Sequence, residues 1–182
     1  MPVLHLNVRP QWEELDIARQ EAVSFLRGHQ FGEATVNATE MVVCELTENA
    51  TKYGTFGVTP SEVRIAITVE GATVTVEVRS PVGSADDEHL QRLDRTVQWI
   101  RGFQNPFEAY VERLKEVSAQ SLESSESGLG LVRIAYEGQS VLDFFLHDQN
   151  VLAVSAVFTA APSDGNSKAW TLVSNLSGEA PR

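Results

Sequence analysis

Two neighbouring stretches with alternating apolar side chains constrain the fold of this chain most. Apolar residues occupy every second position over residues 63–69 and again over residues 74–78, and a period of two is typical of strands that bury one face. Glu70-Gly71-Ala72 lies between them and predicts a hairpin turn. Pro81 should end the second strand, because proline donates no backbone hydrogen bond. The sequence therefore predicts an antiparallel hairpin with one buried face.

The segments before the hairpin predict one strand and two helices. Residues 3–9 alternate and suit a short strand, whereas residues 11–28 place apolar residues at helical spacing. A second helix should run from about Ala34 to Tyr53 and end at Gly54. The positions that this spacing assigns to the apolar faces of the two helices are Trp12, Leu15, Ala18, Ala22, Leu26, Val43, Leu46 and Ala50.

The segments after the hairpin predict a helical insertion and a second strand pair. Residues 84–127 are polar and acidic, with two runs of helical spacing, and their last ten residues, SAQSLESSES, are expected to be mobile. Gly128 and Gly130 then open an apolar helix, with Ser127 available as its N-cap. Two further strands are expected at about residues 141–146 and 152–159.

This order of elements predicts an α+β fold. Runs of strands beside runs of helices indicate a two-layer α/β sandwich whose sheet is covered by helices on one face. We expect a single domain over residues 1–160, with the insertion at about 84–127, and a C-terminal tail over 161–182 that is linker-like. An apolar island at residues 170–173 of the tail suits docking on the domain, an edge strand or a partner.

Composition excludes several classes of function. The 182 residues carry a net charge of −11, which opposes nonspecific binding to nucleic acid or anionic lipid. Cys44 is the single cysteine, so an internal disulfide or a cysteine-based zinc site is not expected. No apolar run approaches the roughly 20 residues of a membrane span, and no leader sequence opens the chain. These features predict a cytoplasmic protein.

One helical stripe near the end of the second predicted helix carries chemically useful side chains. Glu45, Asn49 and Lys52 fall at positions i, i+4 and i+7 and share one face. A carboxylate can take a proton from an attacking hydroxyl, and an amide oxygen is a hard ligand suited to Mg²⁺. A solvated helix face, with Glu48 and Lys52 as an ordinary ion pair, explains the same residues.

Two motifs, in order and suitably spaced, resemble those of the GHKL (Bergerat) ATP-binding family. Residues 45–54, ELTENATKYG, resemble its N box, and residues 127–135, SGLGLVRIA, resemble its second glycine box. The resemblance covers about residues 3–160 and implies a mixed sheet. Within the family, the chain looks most similar to anti-sigma-factor serine kinases of the RsbW and SpoIIAB type, and among these to the SiaB-like group.

The resemblance implies roles for matching residues. Glu45 would be the general base and Asn49 the ligand of Mg²⁺, with ATP as the nucleotide. The glycines of the second box would let backbone amides and the positive end of the following helix approach the phosphates. The residues that the resemblance assigns to nucleotide binding are Asn49, Lys52, Gly54, Ser80, Gly83, Gly128, Leu129 and Gly130.

The first glycine box departs from the family pattern. Ser80 stands where the family has an aspartate that accepts a hydrogen bond from the adenine amino group. Loss of a charge-assisted hydrogen bond would cost roughly 1.5–3 kcal/mol. The departure leaves adenine recognition as the open question of this sequence.

Three functions are consistent with the motifs and the composition of this chain. The resemblance favours an ATP-dependent protein-serine kinase of a bacterial partner-switching system, acting on a small STAS-like or similar antagonist protein. A catalytically silent module that sequesters a partner, and an ATPase with water as the nucleophile, are the alternatives. A homodimer is permitted, whereas nucleic acid and membrane partners are not expected. Arg133 is expected on a helix surface rather than at a phosphate, and Lys52 is equally suited to an ion pair and to a phosphate contact.

Overall fold

The computed structural model describes residues 1–57, 62–83, 87–119, 128–147 and 150–160. The predicted α+β sandwich is confirmed. The strands are β1 (Val3–Val8), β2 (Val63–Glu70), β3 (Thr73–Pro81), β4 (Val141–His147) and β5 (Val151–Thr159), and the helices are α1 (Trp12–Gly28), α2 (Glu33–Tyr53), α3 (Asp87–Arg101), α4 (Pro106–Ala119) and α5 (Gly130–Tyr136).

The five strands form one sheet in the order β1-β2-β3-β5-β4. Every pairing between neighbours is antiparallel, so the expectation of a mixed sheet was wrong in this detail. The reason is topological. Two residues separate β2 from β3 and three separate β4 from β5, which is too few for a parallel crossover, and β5 lies between β3 and β4. Strands that run in the same direction, such as β3 and β4, are therefore never neighbours in the sheet.

The predicted hairpin forms. Glu70 pairs with Thr73 across a two-residue turn, and Gly71 has a φ of +59°, which only glycine adopts without steric cost. Alternate side chains of β2 and β3 are buried on the face beneath the helices. The strand β3 ends at Pro81, as predicted.

Helices α1 and α2 cover the centre of this face. They pack against each other, and α2 lies over β2 and β3. Seven of the eight positions assigned to their apolar faces are buried. Trp12 is the exception and is 66% exposed. It is the first residue of α1, and periodicity alone does not show how far along a helix the core extends.

Of the insertion helices, α3 packs on the sheet through a second apolar cluster, which consists of Val82, Leu93, Val97 and Leu152. Helix α4 packs against α3 and α5. The short helix α5 packs between α2 and α4. The first two residues of the segment predicted to be mobile, Ser118 and Ala119, belong to α4. Its remaining residues 120–127, which include Ser127, and the tail from residue 161 lie outside the described residues.

Candidate functional site

A cavity of about 330 Å³ lies where α2, the end of β3, the insertion helices and the start of α5 meet. Four residues assigned to the nucleotide site from the sequence line it together: Asn49, Ser80, Gly128 and Gly130. They come from three separate segments of the chain, so the tertiary fold brings the predicted motifs to one place. The volume lies at the lower end of the range for ligand pockets.

One side of the cavity is apolar and suits a flat ring. Its floor consists of side chains from α2 and from the central strands, including Leu46, Val78 and Val154. Tyr53 lines the cavity at the end of α2 and stacks on His89 of α3, with ring centroids 4.2 Å apart and an angle of 18° between the planes. Ser80, only 5% exposed, supplies a hydroxyl on this side. A hydroxyl both donates and accepts hydrogen bonds.

Two arginines give the cavity its charge. Arg92 of α3 and Arg113 of α4 both line it, and no aspartate or glutamate does so among the described residues. The guanidinium carbon of Arg92 lies 5.1 Å from the centroid of the Tyr53 ring. Arg113 also pairs with Glu116 at 2.7 Å, which offsets part of its charge. In a chain with a net charge of −11, the positive charge that remains at the cavity favours an anionic ligand. Sequence reasoning missed both arginines, because they lie in an acidic insertion without a recognised motif.

Glu45 is held by an arginine from the second motif. Arg133 of α5 donates from Nη1 to Oε1 of Glu45 at 2.5 Å. Its other edge donates from Nε and Nη2 to the carboxylate of Glu137, each at 3.2 Å. The sequence predicts Arg133 on a helix surface. The structure shows instead that this residue joins the two motifs through its contact with Glu45. The pair spans 88 positions of the sequence, which no local pattern can reveal.

Burial dominates the protonation of Glu45. Only 17% of its side chain is exposed, and this burial raises the pKa of the carboxyl above its ordinary value of 4.5. Arg133 opposes the shift, whereas the negative charges of Glu48 and Glu137 add to it. A carboxyl with a raised pKa is a stronger base, which suits a general base.

The two glycines of the second motif make room for charged side chains. A Cβ on Gly130 would lie 2.5 Å from Oε2 of Glu45 and 3.7 Å from the amide nitrogen of Asn49. Glu45 and Asn49 thus converge on the backbone of Gly130. Gly128 has a φ of +61°, and a Cβ there would lie 2.8 Å from the Arg113 guanidinium. The resemblance implies that these glycines let backbone amides approach the phosphates. The space that they leave for Glu45 and Arg113 is a second reason why glycine suits both positions.

The remaining assigned residues surround the cavity without lining it in the described structure. Lys52 is exposed, with its ammonium 5.2 Å from the Tyr53 ring centroid. Gly54 caps α2 through a hydrogen bond from its amide to Ala50. The Gly83 amide donates to the Thr55 hydroxyl at 3.1 Å. Leu129 precedes α5, and its carbonyl accepts the Arg133 amide.

The fit of a magnesium ion rests on Asn49. The described residues contain no group of three or more histidine, cysteine, aspartate or glutamate side chains arranged to hold a metal. Magnesium is commonly bound through one or two protein ligands together with substrate phosphates and water. An amide oxygen beside an arginine-lined cavity fits that kind of site.

Cys44 lies on the same helix as Asn49. Burial raises the pKa of its thiol, which disfavours a reactive thiolate.

Sequence comparison assigns the family. Residues 8–136 match the model of the histidine kinase-like ATPase domain, so the chain belongs to that family. Membership implies an ATP-binding site, and the resemblance read from the two motifs is confirmed. A search of curated proteins finds no significant match. Within the described residues, no helix has the length and apolar character needed to cross a membrane.

Two solved structures share the fold. One is the SiaB–SiaC complex from Pseudomonas aeruginosa, with a TM-score of 0.65 and 20% identity over 85% of this chain and 88% of the matched chain. The other contains the RsbU and RsbW domains of Rv1364c from Mycobacterium tuberculosis, with a TM-score of 0.52 and 10% identity. It covers 90% of this chain and 34% of the larger protein.

Proposed function

We propose that this protein is an ATP-dependent protein-serine kinase that regulates a bacterial partner-switching system. The observation that carries the proposal is the convergence of Glu45 and Asn49 at Gly130, beside the cavity lined by Arg92 and Arg113. A base and a metal ligand at one edge of a cationic cavity are the groups that phosphoryl transfer needs.

Each group has a chemical task in this proposal. Glu45 takes the proton of a serine hydroxyl while the oxygen attacks the γ-phosphorus, the bond to the β-phosphate breaks, and ADP leaves. Asn49 would hold Mg²⁺, which when bound offsets negative charge on the phosphates. Arg92 and Arg113 bind phosphate oxygens. The ring of Tyr53 lies against the adenine ring of ATP on the apolar floor of the cavity.

The partner that we propose is a small STAS-like or related antagonist protein. The likeness to a chain of the SiaB–SiaC complex and to the chain with the RsbU and RsbW domains supports a protein partner. Neither likeness exceeds 20% identity, so the class of partner is proposed from the resemblance of the motifs and the fold together. A serine on that partner is the proposed acceptor.

A specific observation favours a second candidate, a catalytically silent binding module. Glu45 is already engaged by Arg133, and Ser80 supplies no negative charge for an adenine amino group. In this alternative the protein sequesters its partner without turning over ATP. The two candidates differ in whether nucleotide binds and whether phosphate moves.

Titration calorimetry with ATP, with and without Mg²⁺, is the first test. For the kinase we expect micromolar, magnesium-dependent binding that Asn49→Ala weakens and Glu45→Gln leaves largely unchanged. Arg27→Gln is the control, because it removes an exposed ion pair with Glu33 in a different part of the fold. Absence of binding at millimolar ATP would favour the silent module and contradict the kinase.

Phosphotransfer is the second test. A candidate antagonist is incubated with the protein and ATP, and the modified residue is mapped by mass spectrometry. We expect a phosphoserine whose formation is lost with Glu45→Gln although ATP still binds. Transfer at the parental rate by Glu45→Gln would show that Glu45 is not the base.

A further inference from the structure

The ion pair between Glu45 and Arg133 has a consequence for the proposed base. One carboxylate oxygen, Oε1, accepts from Arg133 at 2.5 Å. The other oxygen, Oε2, lies 2.5 Å from the position that a Cβ on Gly130 would occupy. Oε1 is therefore engaged by Arg133, whereas Oε2 lies beside the backbone of Gly130, where the absence of a side chain leaves room for it.

Arg133 is itself held in place. Its Nε and Nη2 atoms donate to the carboxylate of Glu137, the residue that follows the end of α5, in a two-bonded contact. This fork geometry fixes the plane of the guanidinium, and the remaining nitrogen, Nη1, points to Glu45. The arginine is 39% exposed on its side chain, so a docking protein can reach it.

A base engaged in this way is a poor acceptor for a proton from water. The guanidinium takes a lone pair of Oε1 and stabilises the charged carboxylate, so Glu45 is a weaker base than burial alone would make it. A hydroxyl that gives its proton to Oε1 therefore competes with Arg133 for this oxygen. A small water molecule has no means of displacing the arginine, whereas a docked polypeptide has many contacts with which to do so.

We propose that Arg133 is a positioning residue that withholds Glu45 from water. ATP is then not hydrolysed by the protein alone, and its γ-phosphate is transferred only when a partner displaces the arginine. The proposal rests on the proposed function and extends it to the choice between two acceptors. With water as the acceptor, Glu45 would take a water proton, the oxygen would bond to the γ-phosphorus and the products would be phosphate and ADP. With the arginine in place, that reaction is suppressed.

The test measures ATP hydrolysis by the protein alone, with ATP and Mg²⁺ as the only additions. We expect Arg133→Gln to raise the turnover number for ATP hydrolysis about ten-fold or more. This increase is a small part of the rate enhancement that a general base typically contributes. The affinity for ATP should change little, because Arg133 is not among the described residues that line the cavity. Arg133→Lys should hold the rate nearer to the parental value, and Glu137→Gln should give a smaller increase.

Two controls connect the effect to the ion pair. The double variant Glu45→Gln/Arg133→Gln should return to the parental rate, because the increase depends on the freed carboxylate. Arg27→Gln, which removes a two-bonded surface pair with Glu33 at 2.9 and 3.0 Å, should leave the rate unchanged. If Arg133→Gln does not fold, the Lys and Glu137 variants carry the comparison.

The outcomes separate this proposal from the proposed function. ATP binding by the parent with an unchanged or lower rate in Arg133→Gln would overturn the role of Arg133 alone. A large loss of ATP affinity in that variant would also overturn it, since Arg133 would then contact the nucleotide. Absence of ATP binding by the parent would overturn the proposed function, and this proposal with it.

Discussion

Substituting Gly130 with alanine tests the geometry of the site without any ligand. The new Cβ would lie 2.5 Å from Oε2 of Glu45, well inside the roughly 3.3 Å at which carbon and oxygen meet even in weak hydrogen bonds. The flexible carboxylate is the group that must yield. Because its other oxygen accepts from Arg133, we expect this movement to weaken or break that contact.

The expected magnitude follows from two opposing contributions. A hydrogen bond between charged groups contributes roughly 1.5–3 kcal/mol, and the partial exposure of Arg133 reduces this to about 2 kcal/mol. Replacing glycine by alanine in a helix is favourable by up to about 1 kcal/mol. Gly130→Ala should therefore lower the free energy of unfolding by about 1 kcal/mol.

A double-mutant cycle followed by urea denaturation measures the coupling. In a Glu45→Ala background the clash is absent, so Gly130→Ala should be neutral or stabilising, and the coupling energy should be about 2 kcal/mol. Gly28 at the end of α1 is the matched control, because a Cβ there would meet nothing within 4 Å. Equal effects of Gly130→Ala in both backgrounds would refute the idea that this glycine makes room for Glu45.

Three further predictions concern the cavity, the core and the base. Arg113→Gln should weaken ATP binding by about one to two decades while adenosine binding changes little, and Lys115→Gln, an exposed neighbour paired with Glu112, should change neither in calorimetry. Leu26→Ala, in a side chain that is 0% exposed, should cost about 2–5 kcal/mol of stability in denaturation, whereas Ile17→Ala at 52% exposure should stay within about 0.5 kcal/mol. Because burial raises the pKa of Glu45 above 4.5, phosphotransfer should fall on acidification at a higher pH than for an ordinary glutamate, and an acidic limb at or below 4.5 would contradict the assignment.

Much of the fold was predictable because its signals are local. The alternation over residues 63–69 and 74–78 follows from burial of one face of a strand, and the structure confirms both strands and the turn at Gly71. The ending of α2 at Tyr53 was predictable from Gly54 for the same reason. Each of these features depends on a few consecutive residues and on backbone geometry alone.

The candidate site was predictable only in part. The motifs indicated Asn49, Ser80, Gly128 and Gly130, which the fold gathers around one cavity. The two arginines of the cavity and the partner of Glu45 were not predicted. Charged side chains have no periodic signature of their own, and their contacts depend on where distant segments cross.

The alternating strands, the amphipathic helices and the two family motifs can all be recognised in the amino-acid sequence. Three features became visible only in the folded chain: the wholly antiparallel sheet, the position of Trp12 outside the core and the contact between Arg133 and Glu45. The difference lies in the range of the interactions. Burial and turn geometry act over a few residues and leave a pattern in the sequence, whereas an ion pair across 88 positions exists only once the chain has folded.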